Sequence, residues 1–321
     1  MDMNSTGRKT KNGLKKLENS KRIFYWGMMA LPLLQFALFY FYVNFSSVLM
    51  AFQKYVPNEG ELGYTMQFIG FTNFATAWEV IVNSSWRIMN SLTLYFFQLV
   101  VVTPLAIIFS YYIAKKYPLS GLFRIMLYLP TIISAVVFAT LYRYICTDVW
   151  MNLFGEWKYP NGLLAPNTDV SVIFGTVLFY NLWLAYGQNV MIYTSTMSSI
   201  NQSIIESAEL DGVGFWQELW YIYLPQVWPT FTTFVVLQMA AIFTNQMGLF
   251  EIFGGAQPKE GVDTFGFYFY RSSLRSDLQG SEPTLLSYPE LSALGLMFTF
   301  VLIPLTLTTR KLMEKFGPSV E

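Results

Sequence analysis

The sequence predicts an all-α polytopic membrane protein with six transmembrane helices and a short helical loop between the fourth and fifth. Three observations predict it. Of 321 residues, 54% are hydrophobic, 18% aromatic and only 12% charged, against about 25% charged in an ordinary soluble domain. The charges leave six long gaps, and a charge at the centre of a bilayer helix costs about 3 kcal/mol. Histidine is absent, which excludes Ser/His/Asp and Cys/His nucleophilic sites, His-ligated zinc or haem, and imidazole pH switches. Because 20 basic residues balance 20 acidic ones, the chain also lacks the low hydrophobicity and high net charge of a disordered protein. The lone cysteine, Cys146, has no partner for an internal disulfide or a CxxC site.

The uncharged gaps run Ile23 to Gln53, Ile88 to Ala114, Ile125 to Tyr142, Val170 to Ile205, Leu219 to Phe250 and Leu291 to Thr309. Each reaches the roughly 17 to 25 residues a helix needs to cross the hydrocarbon. A further gap, Leu62 to Trp78, holds GFTNF and several polar residues, so it is placed in an interfacial loop. The expected plan is a basic tail (1–22), a first helix (23–53), an outer loop (54–87), a five-helix core (88–310) containing the loop 201–225, and a closing tail (311–321).

Lys and Arg counts set the orientation, because cytoplasmic flanks carry the excess. The first tail holds Arg8, Lys9, Lys11, Lys15, Lys16, Lys21 and Arg22; the second loop adds Lys115, Lys116 and Arg124, and the end adds Arg310, Lys311 and Lys315. The opposite side has Lys54, Arg87, Arg143, Lys158, Lys259, Arg271 and Arg275, spread over longer loops. Both termini are therefore expected in the cytoplasm of a multi-pass cell-membrane protein. The apolar segment after the basic tail is too long for a signal-peptide h-region and lacks a small-residue cleavage site, so it is read as a retained helix. In the longest outer loop, 251–290, the segment from Thr264 to Ser273 carries five aromatics, which fit an interfacial belt or a partner-docking or substrate-guiding loop.

The fourth loop carries Glu206, Glu209, Asp211 and Glu218 and no basic residue, an anomaly on a positive side. Its first part reads as a short helix with Ile204, Ile205 and Ala208 on one stripe. Gly212 and Gly214 bracket Val213 at a reversal where positive φ costs little. A second short helix is expected over Phe215 to Tyr221, with Leu224 and Pro225 where the next membrane segment is established.

Here the sequence resembles the membrane-spanning permease subunits of binding-protein-dependent ABC importers. Their signature is EAA, two residues, DGA, then about eight residues to Ile-x-Leu-Pro. Glu206-Ser207-Ala208, Asp211-Gly212-Val213 and Ile222-Tyr223-Leu224-Pro225 stand at those spacings, with Ser207 and Val213 departing from alanine. The resemblance implies a coupling helix lying in a groove of a separate cytoplasmic ATPase, with Ala208 and Gly212 permitting close approach. Glu206 and Asp211 would set register or pair with ATPase cations, and Asp211 can equally cap the bend locally. With no GxxxxGK[ST] loop in this chain, it is read as a non-enzyme without a cofactor, ATP and magnesium belonging to two ATPase subunits. Length, the extra first helix and the ending TRKLMEKFG resemble the first of two permeases in carbohydrate systems of the maltose and oligosaccharide type. That implies a second permease in a heterodimer, an extracytoplasmic solute-binding protein and a sugar substrate. No nucleic acid partner is expected.

The membrane segments carry amides and aromatics rather than charges, which suits a neutral polyol. Candidate pathway residues are Tyr180, Asn181, Tyr186 and Gln188 in the fourth helix and Gln238 and Asn245 in the fifth. Asn181 and Gln188, like Gln238 and Asn245, stand seven apart, so each pair would share a helical face. Interhelical hydrogen bonds are the alternative use of such amides. Two other classes remain open: an ion-coupled secondary transporter, which usually needs charges inside the helices, and a membrane scaffold without transport.

Overall fold

The computed structural model describes residues 4–57, 63–155, 158–254, 256–275 and 285–318. Residues 1–3 of the expected basic tail, 319–321 of the closing tail and 276–284 of the longest outer loop lie outside the described residues. The first gap folds as α1 (Asn19–Met50), the membrane-length part of a helix that begins at Asn4. The tail backbone therefore continues the first helix instead of forming a separate segment. α1 passes through Pro32 and a wide π-turn at Phe36–Tyr42, and large apolar side chains such as Phe39 and Phe41 stay exposed along it.

An antiparallel hairpin follows, β1 (Gln53–Pro57) on β2 (Tyr64–Phe68), with Gln53 opposite Phe68 and Pro57 opposite Tyr64. It departs from the all-α expectation and replaces part of the interfacial loop. Aromatic and β-branched residues at Tyr55, Val56, Tyr64 and Thr65 suit the pleat, and Asn73 Nδ2 donates to the Ala51 and Gln53 carbonyls at its base. Asn73 lies on α2 (Thr72–Asn83), which covers the hairpin end of the bundle.

The second gap forms α3 (Ser85–Ala114). In the third, α4 (Ser120–Ile132) and α5 (Ala135–Phe154) meet at 101°. The β-branched run Thr131-Ile132-Ile133 weakens the helix, and Ser134 takes the extended N-cap conformation, φ −52° and ψ 133°, that starts a new one. After α6 (Val170–Ser198) comes the short α7 (Gln202–Leu210). The next helix, α8, begins at Phe215–Glu218, widens through a π-turn at Leu219–Tyr223 and continues as Leu224–Ala240. The fifth gap is thus helical only to Ala240; an irregular stretch leads to α9 (Leu249–Phe253). α10 (Phe265–Arg275) and α11 (Tyr288–Phe316) complete the chain, Glu290 Oε2 accepting from the Ser287 N–H in a capping box. Among the described residues four helices are long and apolar enough to cross a membrane, or five if α4 and α5 make one broken span. The third of the six expected spans is bent rather than straight.

α3 packs along α6, α4 lies against α6, and α8 and α2 both rest on α11. The aromatic segment from Thr264 is neither a belt nor a docking loop. Phe265, Phe267 and Tyr268 are 0%, 1% and 4% exposed, and Phe265 meets Phe243 and Phe298 edge-on inside the bundle. Gly266 permits this, since a Cβ there would collide with the Asn245 carbonyl. Asp263, just ahead of α10, accepts from Arg87 Nε at 2.7 Å and from Trp86 Nε1 at 3.0 Å, fastening α10 to α3.

Candidate functional site

Two places combine polar chemistry with distinctive geometry. The first is the connection from α6 to α8. Asn201 starts α7, its Oδ1 accepting from the Ser203 N–H at 3.1 Å. The expected stripe is split: Ile205 and Ala208 are turned onto the chain's own helices, each 7% exposed, whereas Ile204 points outward. The small side chain of Ala208 therefore serves approach to this chain itself. Glu206, Ser207, Leu210 and Asp211 face out, and among the described residues the Asp211 carboxylate makes no hydrogen bond that would cap the bend. Gly212 takes φ +71° with open space where a Cβ would stand. Gly214 does not share that role: it is extended at φ −78° and starts α8. The second short helix expected over Phe215 to Tyr221 is the start of α8, so Leu224 and Pro225 lie inside a continuous helix. Pro225 lacks the N–H that would bond the Tyr221 carbonyl, which fits the widened turn just before it.

The acidic anomaly resolves in three dimensions. Lys115, at the end of α3, donates to Glu209 Oε1 at 2.7 Å and to Glu218 Oε1 at 2.8 Å. The Tyr111 hydroxyl donates to Glu218 Oε2 at 2.6 Å. Burial pulls the Lys115 pKa down, but the two carboxylate bonds outweigh it and hold it above the ordinary lysine value. One ammonium thus ties α3 to both α7 and the start of α8. Sequence reasoning counted Lys115 for orientation and Glu209 and Glu218 as an anomaly, but gave none of them, nor Tyr111, a structural partner. The signal for them was an acidic loop without its own cation, facing a lysine at the edge of the second uncharged gap.

The second place is where two broken helices meet. The bend at Ser134 and the stretch 241–248 both abut Tyr180 of α6, which is 1% exposed and packs on Phe138 and Tyr142. Gly248, at φ +66°, lies so close that a Cβ would stand 2.6 Å from the Tyr180 ring. The break is braced from behind: Asn245 Oδ1 accepts from the Met247 N–H at 2.8 Å, and the Asn245 carbonyl accepts from Thr264 Oγ1 at 2.9 Å. Irregular backbone at membrane depth is tolerated only where protein buries it or a watery cavity borders it. Here the burial of Tyr180, Met247 and Leu249 encloses the break, and a cavity of about 310 Å³ beside it is lined by Ala135, Tyr180, Leu184, Asn245, Gln246 and Glu251.

Of the expected pathway residues, Tyr180 and Asn245 come together at this cavity. Asn181 instead accepts from Gln98 Nε2 at 3.0 Å, an interhelical bond. Tyr186 packs edge-on against Phe109, and Gln188 is exposed on α6. Gln238 and Asn245 share no helical face, because α8 ends at Ala240 before Asn245 is reached. Glu251 was missed because it stands immediately beyond the fifth uncharged gap, at a position that a straight helix would carry to the membrane surface.

Interrupted helices around a cavity, with a short exposed helix at one end of the bundle, fit the architecture of a membrane transport protein. Residues 102–321 match the binding-protein-dependent transport system inner membrane component family, and the chain belongs to that family. It is 21% identical over 277 residues, 81% of each chain, to the arabinooligosaccharides transport system permease protein AraP of Halalkalibacterium halodurans. It is 24% identical over 317 residues, 96% of this chain and 92% of the relative, to the polygalacturonan/rhamnogalacturonan transport system permease protein YteP of Bacillus subtilis. Its fold is similar to a chain of a bacterial ABC transporter involved in import of the acidic polysaccharide alginate. That match has a TM-score of 0.71 at 23% identity and covers 94% of this chain and 99% of the other.

Proposed function

We propose that this chain is the membrane-spanning permease subunit of an ATP-driven importer for a neutral sugar or oligosaccharide. An extracytoplasmic binding protein delivers the sugar, a second permease completes the pathway, and two ATPase subunits dock on the cytoplasmic side. In this reading the chain crosses the membrane six times, as α1, α3, the bent pair α4 and α5, α6, α8 and α11, with both termini inside. The observation that carries it is the anchorage of α7. Its outer face presents Glu206, Leu210 and Asp211, while its inner face is tied by Lys115 to α3 and α8. A helix held this way transmits displacement: the inward-packed Ile205 and Ala208 seat α7 on the bundle and Lys115 adds a polar link to α3, so a partner that moves α7 must move bundle helices with it. Because nucleotide and loaded binding protein must each favour one conformation for a cycle to run, such a rigid link is the part an importer requires.

Glu206, Ser207, Ala208, Asp211, Gly212, Leu224 and Pro225 are assigned to coupling. Glu206, Ser207, Asp211 and Gly212 form the docking face, and Ala208, Leu224 and Pro225 set its position from inside. Tyr180 and Asn245 are assigned to the pathway with the cavity they line. Family membership and the sugar-transporting relatives support a saccharide cargo, and the uncharged amides and aromatics of the membrane segments support its neutrality. The test is reconstitution of the chain with partner permease, ATPase and binding protein in lipid, followed by ATP hydrolysis against a panel of neutral oligosaccharides. Stimulation by loaded binding protein, lost in Glu206→Ala, is the expected result; no association with an ATPase would refute the reading.

A further inference from the structure

The cavity between the two broken helices has one ionisable carboxylate among its described lining residues, Glu251. It is half-buried, stands at the third position of α9, and does not fold back to cap that helix. Among the described residues it has no ion-pair partner; the cations Arg87 and Lys115 are engaged elsewhere. A carboxylate kept without a cation beside a cavity makes the local potential negative, and low-dielectric walls strengthen that field. Tyr180, Asn245 and Gln246 add neutral groups around it. Such a lining hydrogen-bonds hydroxyls and disfavours a second carboxylate.

We infer that Glu251 is the specificity-determining residue of the pathway, accepting hydrogen bonds from sugar hydroxyls and rejecting uronate-bearing saccharides. This rests on the transport reading above and deepens it. The chain would then differ in cargo charge from the alginate importer and the polygalacturonan relative whose fold or sequence it shares.

The buried Cys146 is the chain's one cysteine, which makes a direct probe of the cavity possible. The Gln246→Cys variant, in the assembled importer in lipid, is labelled with cationic and anionic methanethiosulfonate reagents of similar size. The comparison is repeated with Glu251→Gln and with the charge-conserving Glu251→Asp. The expected result is faster labelling by the cationic reagent, a preference that falls by about tenfold in Glu251→Gln and persists in Glu251→Asp. In parallel, Glu251→Gln should narrow the discrimination between a neutral and a uronate trisaccharide as protectants of the introduced thiol against labelling, with the binding protein omitted. A charge preference that is absent, or unchanged by Glu251→Gln, overturns the inference while leaving the pathway in place. No labelling of the introduced thiol by either reagent overturns both, because the cavity would then not be aqueous.

Discussion

Lys115 Nζ lies 2.7 Å from Glu209 Oε1 across 94 residues of chain. The same ammonium reaches Glu218, whose side chain is 6% exposed against 58% for Glu209. The two bonds differ in kind. Breaking a buried pair strands a charge, whereas an exposed pair adds little.

Lys115→Met should therefore destabilise by about 3 to 5 kcal/mol, and Glu209→Gln by under about 1 kcal/mol. Denaturant unfolding of the purified complex ranks them. Adding Glu218→Leu to Lys115→Met should recover part of the loss, because the stranded carboxylate is then gone. Equal effects of Lys115→Met and Glu209→Gln would contradict the burial argument.

The pH dependence has a definite sign. A base with a raised folded pKa contributes stability that is fully present below its unfolded value, about 10.4 for lysine, and is lost as pH rises through the folded value. The stability gap between wild type and Lys115→Met should stay constant through neutral pH and shrink only in the strongly alkaline range. A gap that closes near neutrality would show that another group carries the link.

Gly212 needs its backbone more than its space, since φ is +71° and nothing lies within 4 Å of a Cβ. Gly212→Ala should cost about 1 to 2 kcal/mol locally and Gly212→Asn less, because asparagine tolerates this region. Both should insert normally. Gly212→Asp should uncouple ATP hydrolysis from uptake by adding a charged side chain at the docking face. Hydrolysis assays on the reconstituted complex separate the two effects: strain alone would spare Asn, whereas close approach of a partner would not.

At the break, Gly248→Ala places a methyl 2.6 Å from the Tyr180 ring at φ +66°. Overpacking of this kind costs about 1 to 3 kcal/mol, and sugar uptake should fall because the cavity wall shifts. Pairing it with Tyr180→Ala should recover assembly, read by size-exclusion yield, without recovering uptake. Restored uptake in the double variant would remove Tyr180 from the pathway.

Arg87→Met strands Asp263, whose side chain is 2% exposed, and should cost about 3 to 5 kcal/mol. Adding Asp263→Leu should ease it. Since this pair is remote from α7, the Arg87→Met/Asp263→Leu protein that does assemble should keep wild-type coupling of hydrolysis to uptake, a split that Lys115→Met should not show.

Much of the fold was legible. The uncharged gaps gave α1 and α3 to within about four residues at each end. They also located α6 and α11, which end at Ser198 and Phe316 where the gaps end at Ile205 and Thr309. The spacing from Glu206 to Pro225 located the exposed short helix and its turn at Gly212. The breaks were not legible, since Leu219 to Phe250 reads as one apolar run whether it continues past Ala240 or bends toward Tyr180. The burial of Phe265 and Phe267 was equally hidden, because hydropathy scores lipid and protein interior alike. Glu251 lay just outside a window drawn by charge.

By itself the sequence determined which segments leave water, where the connecting loop turns and which family the chain resembles. Those are local properties, set by the cost of a charge in hydrocarbon and by the positive φ a turn requires. Only the tertiary structure decided which carboxylates Lys115 holds, that two helices break at one cavity, and that α10 is core. An interrupted helix leaves backbone groups unpaired, and it persists only where distant partners such as Thr264 and Asn245 satisfy them. No local pattern encodes those meetings, because they depend on how helices far apart in the chain pack together.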